Sequence, residues 1–110
     1  TPLEELKPLR GGNDCIVIIY SSDSRSLGKR YVLERDLLTL GRGQENVVVL
    51  DNDSVSRRHC RIEKRNAAWY VVDNDSTNGT YVDGVQVGEV VLAEGNVIQI
   101  GATRLTFRAG

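Results

Sequence analysis

From Cys15 to Arg108 the chain is a succession of short runs rich in branched and aromatic residues, each closed by a cluster of turn formers. The runs are CIVIIY (15–20), KRYVLE (29–34), LLTLG (37–41), NVVVL (46–50), HCRIEKR (59–65), AWYVVD (68–73), TYV (80–82), VQV (85–87), VVLA (90–93), NVIQIG (96–101) and TRLTFR (103–108). Between them sit SSDS, GRGQE, DNDSVSR, NDSTNG, DG, EG and GA. Short strands about eight to ten residues apart, separated by such turn signals, predict an all-β antiparallel sandwich. No stretch sustains a 3.6-residue apolar period, so helix is expected to be minor. Two turns carry a mechanism. Asp83-Gly84, joining TYV to VQV, tolerates φ > 0 at both positions, as a type I′ hairpin requires. Gly95-Asn96, ahead of VIQIG, is a second pair tolerant of left-handed backbone.

The first 13 residues, TPLEELKPLRGGN, hold both prolines and a Gly-Gly pair, and no proline follows. They read as a tail or linker, with Leu3, Leu6 and Leu9 spaced for a short docking turn. Residues 14–109 then form one domain, and 110 residues suffice for one core. The 14 Lys and Arg against 15 Asp and Glu leave no basic excess for nucleic-acid binding through bulk charge. A local basic pocket for one anionic group is compatible with that balance. Two cysteines, Cys15 and Cys60, are too few for a disulfide scaffold. Cys60 reads as a small buried hydrophobe. Without an apolar leader or a span-length apolar run, the expectation is a reduced, cytoplasmic domain away from membranes.

Catalytic and metal readings find little purchase. His59 is the only histidine and has no cysteine or histidine partner at zinc-ligand spacing. The loops DNDSVS (51–56) and DNDSTNG (73–79) resemble calcium loops only loosely: Val55 takes a ligand position in one and Asn78 the turn glycine in the other. Gly41-Arg42-Gly43 lacks the spacing of a phosphate-binding P-loop or a dinucleotide fingerprint. A Ser56, His59 and aspartate triad has no nucleophile elbow or oxyanion donors to support it. Asn52, Asn74 and Asn78 form Asn-x-Ser/Thr sequons, here read as turn residues. No enzyme, metal or cofactor is expected.

Three polar loops remain. The first offers Gly41-Arg42, the second Ser56-Arg57-Arg58-His59, and the third Ser76-Thr77-Asn78-Gly79-Thr80. A phosphate monoester beside a peptide backbone needs this chemistry. Guanidinium makes charge-assisted, often bidentate bonds to phosphate oxygens, hydroxyls add donors, and a carboxamide can clamp a peptide amide and carbonyl together. Each residue alone also has a plainer meaning. Asn78-Gly79 is by itself the commonest hairpin signal. Arg42, Arg57 and Arg58 read equally as solvated charges, Ser56 as a turn hydroxyl and His59 as a hydrogen-bonded structural residue. Only the order and spacing of the three loops favour a binding site.

That order, Gly41-Arg42, then Ser56-x-x-His59, then Ser76-Thr77-Asn78-Gly79, is similar to the signature of the forkhead-associated domain. The flanking LTLGR, VVVLDNDSVSRRHCRI and WYVVDNDSTNGTYVDGVQV extend the resemblance over about residues 15–108. It looks most like the modules of bacterial signalling proteins, which often sit beside an output domain such as a diguanylate cyclase. The resemblance implies an eleven-stranded β-sandwich of two sheets that binds phosphothreonine peptides across loops at one end. By position it implies that Arg42 and Ser56 bind phosphate, that Arg57 reaches phosphate or peptide backbone, and that Thr77 approaches the phosphate and the threonine γ-methyl. Asn78 would hold the backbone just after the phosphothreonine. Gly41, His59 and Gly79 would shape the loops, with His59 bracing the site.

Ser54, and Arg58 in the more basic second loop, are the candidates for selectivity. Asp51, Asp53 and Asp75 would disfavour acidic residues close to the phosphothreonine and favour a basic or neutral side chain downstream. Asn74 stands where the family often has leucine, which would loosen packing under the third loop. A competing reading makes the chain a phosphate-indifferent self-association or intramolecular regulatory domain, with Leu3, Leu6 and Leu9, or an exposed sheet face, as its contact. Thr1-Pro2 has the form of a proline-directed phosphosite.

Overall fold

The computed structural model describes residues 14–110; the tail of residues 1–13, with Leu3, Leu6, Leu9 and Thr1-Pro2, lies outside the described residues. Eleven strands follow one another: β1 (Cys15–Tyr20), β2 (Arg30–Val32), β3 (Leu37–Gly41), β4 (Val48–Val49), β5 (Cys60–Arg65), β6 (Ala68–Asp73), β7 (Thr80–Val82), β8 (Val85–Val87), β9 (Glu89–Val91), β10 (Val97–Ile100) and β11 (Thr103–Arg108). A single 3-10 turn, Ser24–Ser26, is capped by the Asp23 carboxylate. Every apolar run of the sequence yields a strand. The NVVVL run contracts to two residues because Asn46 turns into the preceding loop and the Leu50 N–H goes to the Gly41 carbonyl at 2.8 Å.

The strands form a six-stranded sheet in the order β2-β1-β11-β10-β7-β8 and a five-stranded sheet in the order β4-β3-β5-β6-β9. All pairings are antiparallel but one. β3 and β4 run parallel, with Leu40 beside Val48 and Gly41 beside Val49. Residues 42–47 connect them, a short link for a parallel pair, and hydrogen bonds from within the loop hold it. The expected Asp83-Gly84 hairpin is present, with φ of 50° and 85°. Gly95 takes a positive φ of 84°, whereas Asn96 does not and instead caps the turn by accepting from the Ala93 N–H at 2.7 Å.

Inward residues of both sheets, among them Ile16, Ile18, Leu40, Ile62, Val71, Ile98, Ile100 and Leu105, close a single core. Cys15 and Cys60 are buried free thiols, and burial pushes the Cys60 thiol up to about 12. At the far end from β3's C-terminus, the Trp69 indole N–H donates to Asp14 at 2.9 Å and the Gly110 N–H to the same carboxylate at 2.8 Å. No helix among the described residues is long and apolar enough to cross a membrane.

The strand order puts the ends of β3 and β6 and the starts of β5 and β7 at one end of the sandwich. The loops 42–47, 50–59 and 74–79 therefore share that end, above a core whose central side chain on β5 is Ile62, fully buried. Ile62→Ala removes three carbons from a fully buried position and leaves a cavity between the sheets. It should cost about 2–5 kcal/mol of unfolding free energy, measured by urea denaturation, with the loop end losing order first.

Candidate functional site

Backbone contacts seat the first two loops against each other. The Arg42 N–H donates to the Ser56 carbonyl and the Gly43 N–H to the Arg57 carbonyl, both at 3.0 Å. The approach is so close that a Cβ on Gly41 would fall within the Arg57 carbonyl and 2.8 Å from Asn46 Nδ2. Gly41 is thus required by contact rather than by a positive φ. Buried Asn46 completes the junction, donating from Nδ2 to the Gly43 and Arg57 carbonyls at 2.8 Å each.

His59 joins the second loop to the third. Its ring is fully buried. The Ser56 N–H donates to Nδ1 at 3.0 Å, so the ring proton sits on Nε2, which donates to the Gly79 carbonyl at 2.9 Å. Asp73 organises the third loop from below: it accepts from the Ser76 N–H at 3.1 Å, the Ser76 hydroxyl at 2.5 Å and the Thr80 hydroxyl at 2.7 Å. The Ser76 hydroxyl in turn accepts from the Gly79 N–H at 3.0 Å. Partial burial pushes the Asp73 carboxyl up, but the Ser76 and Thr80 hydrogen bonds outweigh it and hold the group below the ordinary carboxylate range.

Asn78-Gly79 is not the hairpin that its sequence alone would suggest. β6 and β7 belong to opposite sheets, and only Gly79, at φ 86°, takes a left-handed conformation. The segment crosses the end of the sandwich, and its side chains reach the second loop. Asn78 Nδ2 donates to the Ser54 carbonyl at 2.9 Å and the Thr77 N–H donates to the Ser56 hydroxyl at 2.9 Å. Asn52 shapes that loop by accepting from the Ser54 N–H at 2.9 Å and from the Ser54 hydroxyl.

Arg42, Asp53, Ser54, Val55, Ser56, Thr77 and Asn78 together line one shallow polar depression. The Arg42 Nε–H donates to the Val55 carbonyl at 3.1 Å, which ties its exposed side chain to the second loop at the rim of the depression. Five residues singled out from the sequence therefore converge: Arg42, Ser54, Ser56, Thr77 and Asn78. Arg57 and Arg58 lie apart from them. Their side chains, 72% and 76% exposed, both reach Glu45 Oε2 at 3.3 Å. Glu45's own backbone N–H, together with Arg58 and Arg57, holds its carboxyl below its ordinary value. Exposed pairings of this kind are weak.

Asn74 does not loosen the third loop as its replacement of leucine suggested. Its side chain accepts from Arg61 Nη1 at 2.6 Å and its N–H donates to the His59 carbonyl at 3.0 Å. Asn46, Asn52 and the Val55 carbonyl are working parts of the site that sequence reading passed over. The signals that pointed toward them are a polar residue opening an apolar run, as Asn46 opens VVVL, and the turn preference of Asn52, whose side chain accepts from the N–H two residues on. Among the described residues no group of three or more His, Cys, Asp or Glu is placed to hold a metal ion.

The sequence profile of the FHA domain matches residues 38–101, spanning all three loops. The chain belongs to the forkhead-associated domain family. It is 41% identical over 83 residues to the glycogen accumulation regulator GarA of Mycobacterium tuberculosis, covering 76% of this chain and 51% of that protein. It is equally 41% identical over 83 residues to an oxoglutarate dehydrogenase inhibitor of Corynebacterium diphtheriae, covering 76% and 58%. The chain thus spans about half the length of these curated relatives. Among solved structures, a domain studied for phosphothreonine-dependent FHA interactions superposes with a TM-score of 0.79 at 32% identity, over 89% of this chain and 97% of that one. Mycobacterium tuberculosis EmbR in complex with a low-affinity phosphopeptide superposes with a TM-score of 0.81 at 27% identity, over 90% of this chain and 25% of that one.

His59→Ala leaves the buried Gly79 carbonyl and the partly buried Ser56 N–H without their partner. It should destabilise the domain by about 1–3 kcal/mol, and hydrogen exchange should rise selectively at Ser56 and Gly79. The Asp73 carboxyl titrates lower in the folded chain than its unfolded value of 3.8. Its contribution is therefore present above that value and is lost as pH falls through the folded value. Thermal melts below about pH 4 should show wild type losing stability more steeply than Asp73→Asn.

Proposed function

We propose that this domain is a non-catalytic module that binds phosphothreonine-containing protein segments at the depression between the second and third loops. The convergence of Arg42, Ser56, Thr77 and Asn78 on one exposed, polar hollow supports the reading most directly. Its depth suits a single phosphate monoester with a peptide strand lying across it, whereas a buried substrate would need an enclosed cleft.

In this reading the Arg42 guanidinium, fixed through its Nε–H, presents its terminal nitrogens to the phosphate. The Ser56 hydroxyl already accepts from the Thr77 N–H, so its own proton is available to a phosphate oxygen. Arg57 leaves Glu45 to add a second cation. Asn78 exchanges part of its bond to the Ser54 carbonyl for the peptide backbone after the phosphothreonine. Thr77 flanks the γ-methyl, and Ser54, on the same rim, contributes to selectivity with Arg58 at the loop's outer side. Gly41, His59 and Gly79 keep the loops in register. Preference for threonine over serine requires the methyl to orient the phosphate, because burying one methyl contributes only about 0.8 kcal/mol.

The domain boundary is drawn at residues 14–109 with residues 1–13 as a tail, and the module acts in the cytoplasm beside an output domain or a separate phosphorylated partner. Phosphorylation by a threonine kinase would switch docking on. Neither nucleic acid nor membrane is part of this function.

Fluorescence anisotropy with a phosphothreonine peptide library and its unphosphorylated counterpart tests the reading. Binding should require phosphate, and Arg42→Ala should weaken it about ten- to a hundredfold, the loss of one charge-assisted bond of about 1.5–3 kcal/mol. Equal affinity for the two libraries would overturn it.

A further inference from the structure

The outward face of the six-stranded sheet carries a transverse row that begins beside the loop site. Strand register places Tyr20, Arg104, Gln99, Tyr81 and Gln86 side by side on β1, β11, β10, β7 and β8. A β-bulge between Ile18 and Tyr20 produces this alignment. Without the extra residue, Tyr20 would share the inward face of Ile18; the bulge turns it out opposite Arg104. The Arg104 guanidinium then lies over the Tyr20 ring, 5.6 Å from its centroid. One row further from the loops, Arg30, Val17, Thr106 and Val97 are likewise aligned across β2, β1, β11 and β10. Neither row contains a carboxylate, and Arg30 and Arg104 make no ion pair among the described residues.

The opposite face of the sandwich is built otherwise. There Arg61, Glu63, Arg65 and Glu89 form a linear chain of ion pairs at 2.5–2.7 Å. Its charges satisfy one another and offer an incoming partner little. The cationic face is also continuous with the site. Gln86 Nε2 and Tyr81 Cε1 lie 2.6 and 3.4 Å from where a Cβ on Gly79 would stand, next to Asn78. The hairpin turn between Gln99 and Arg104 packs through Gly101 against Ser54 and Val55.

We infer that this row is a second docking surface for the phosphorylated partner, taking an acidic stretch C-terminal to the phosphothreonine. The inference rests on the phosphothreonine reading above and adds to it a class of partner. Asn78, holding the backbone just after the phosphothreonine, directs the chain over Gly79 onto Tyr81 and Gln86. Crossing from β8 to β1 covers about 19 Å, or about six extended residues. Carboxylates roughly five to ten residues past the phosphothreonine meet Arg104 and Arg30, while the glutamines and tyrosines offer hydrogen bonds and flat apolar surface to the backbone between. Asp53, exposed in the lining of the depression, and the exposed Asp75 of the third loop repel acidic residues close in, so the favoured partner is neutral near the phosphate and acidic further on. Two unpaired arginines are too few for a nucleic-acid backbone, whose binding draws on many phosphate contacts.

The test compares three phosphothreonine peptides by anisotropy on the full chain: a short core, the core with an acidic C-terminal extension of about eight residues, and the core with a lysine-bearing extension of equal length. The acidic extension should tighten binding about three- to tenfold, as expected for two exposed ion pairs. That gain should vanish in Arg104→Glu, shrink in Arg30→Glu and fade in high salt, while both variants bind the short core as wild type does. No gain from the acidic extension, an equal gain from the lysine extension, or a gain that survives both variants overturns the inference and leaves the phosphothreonine reading standing. Displacement of the acidic peptide by a single-stranded RNA oligonucleotide also overturns it. Failure of the short core itself to bind removes the phosphothreonine reading, and this inference falls with it.

Discussion

The loop end of this domain depends on one buried imidazole. His59 accepts from one loop's backbone and donates to another's, and its partners are main-chain groups, the Gly79 carbonyl buried and the Ser56 N–H partly buried, that would otherwise go unpaired. A side chain with a donor and an acceptor on opposite edges of a rigid ring satisfies both at a fixed separation, which a hydroxyl cannot span. Around this strut the site assembles in layers. Asp73 holds the third loop from beneath, Gly41 permits the first loop to touch the second, and Asn46 ties their carbonyls together. The groups that face solvent can then be few and exposed, because everything that positions them is buried or bonded.

This division explains how a chain with almost balanced charge presents a site for an anion. Most arginines here are committed. Arg57 and Arg58 share Glu45, and Arg61 and Arg65 alternate with Glu63 and Glu89. Arg42 is held through a neutral carbonyl instead, which fixes its direction without cancelling its charge. Direction and partner, more than total charge, set the local field. The same principle distinguishes the sandwich's two outward faces, one neutralised internally and the other carrying Arg104 against Tyr20 with its charge uncancelled.

Strand existence was legible because each run carries its own period and its own turn chemistry. CIVIIY, AWYVVD and TRLTFR became β1, β6 and β11 with unchanged limits, and Asp83-Gly84 made the hairpin its backbone preferences require. Pairing partners were less legible. β3 and β4 lie parallel across a link of a few residues, and Asn78-Gly79 bridges two sheets where local preference favours a hairpin. Both outcomes are set by which sheet the following strand joins, and that choice is made by contacts distant in sequence.

The sequence by itself determined the strand content, the single-domain scale and the three loops that carry the polar chemistry, since these depend on residue type and short-range spacing. Only the tertiary structure decided which of those residues meet. It gathered Arg42, Ser54, Ser56, Thr77 and Asn78 around one depression and sent Arg57 and Arg58 to Glu45. It also gave Asn46 structural work that no motif announces, and aligned Tyr20 with Arg104 through a bulge. The reason is physical: a side chain's partners follow from register and crossing of strands up to some ninety residues apart along the chain, from β1 to β11, and those are fixed by burying one shared core.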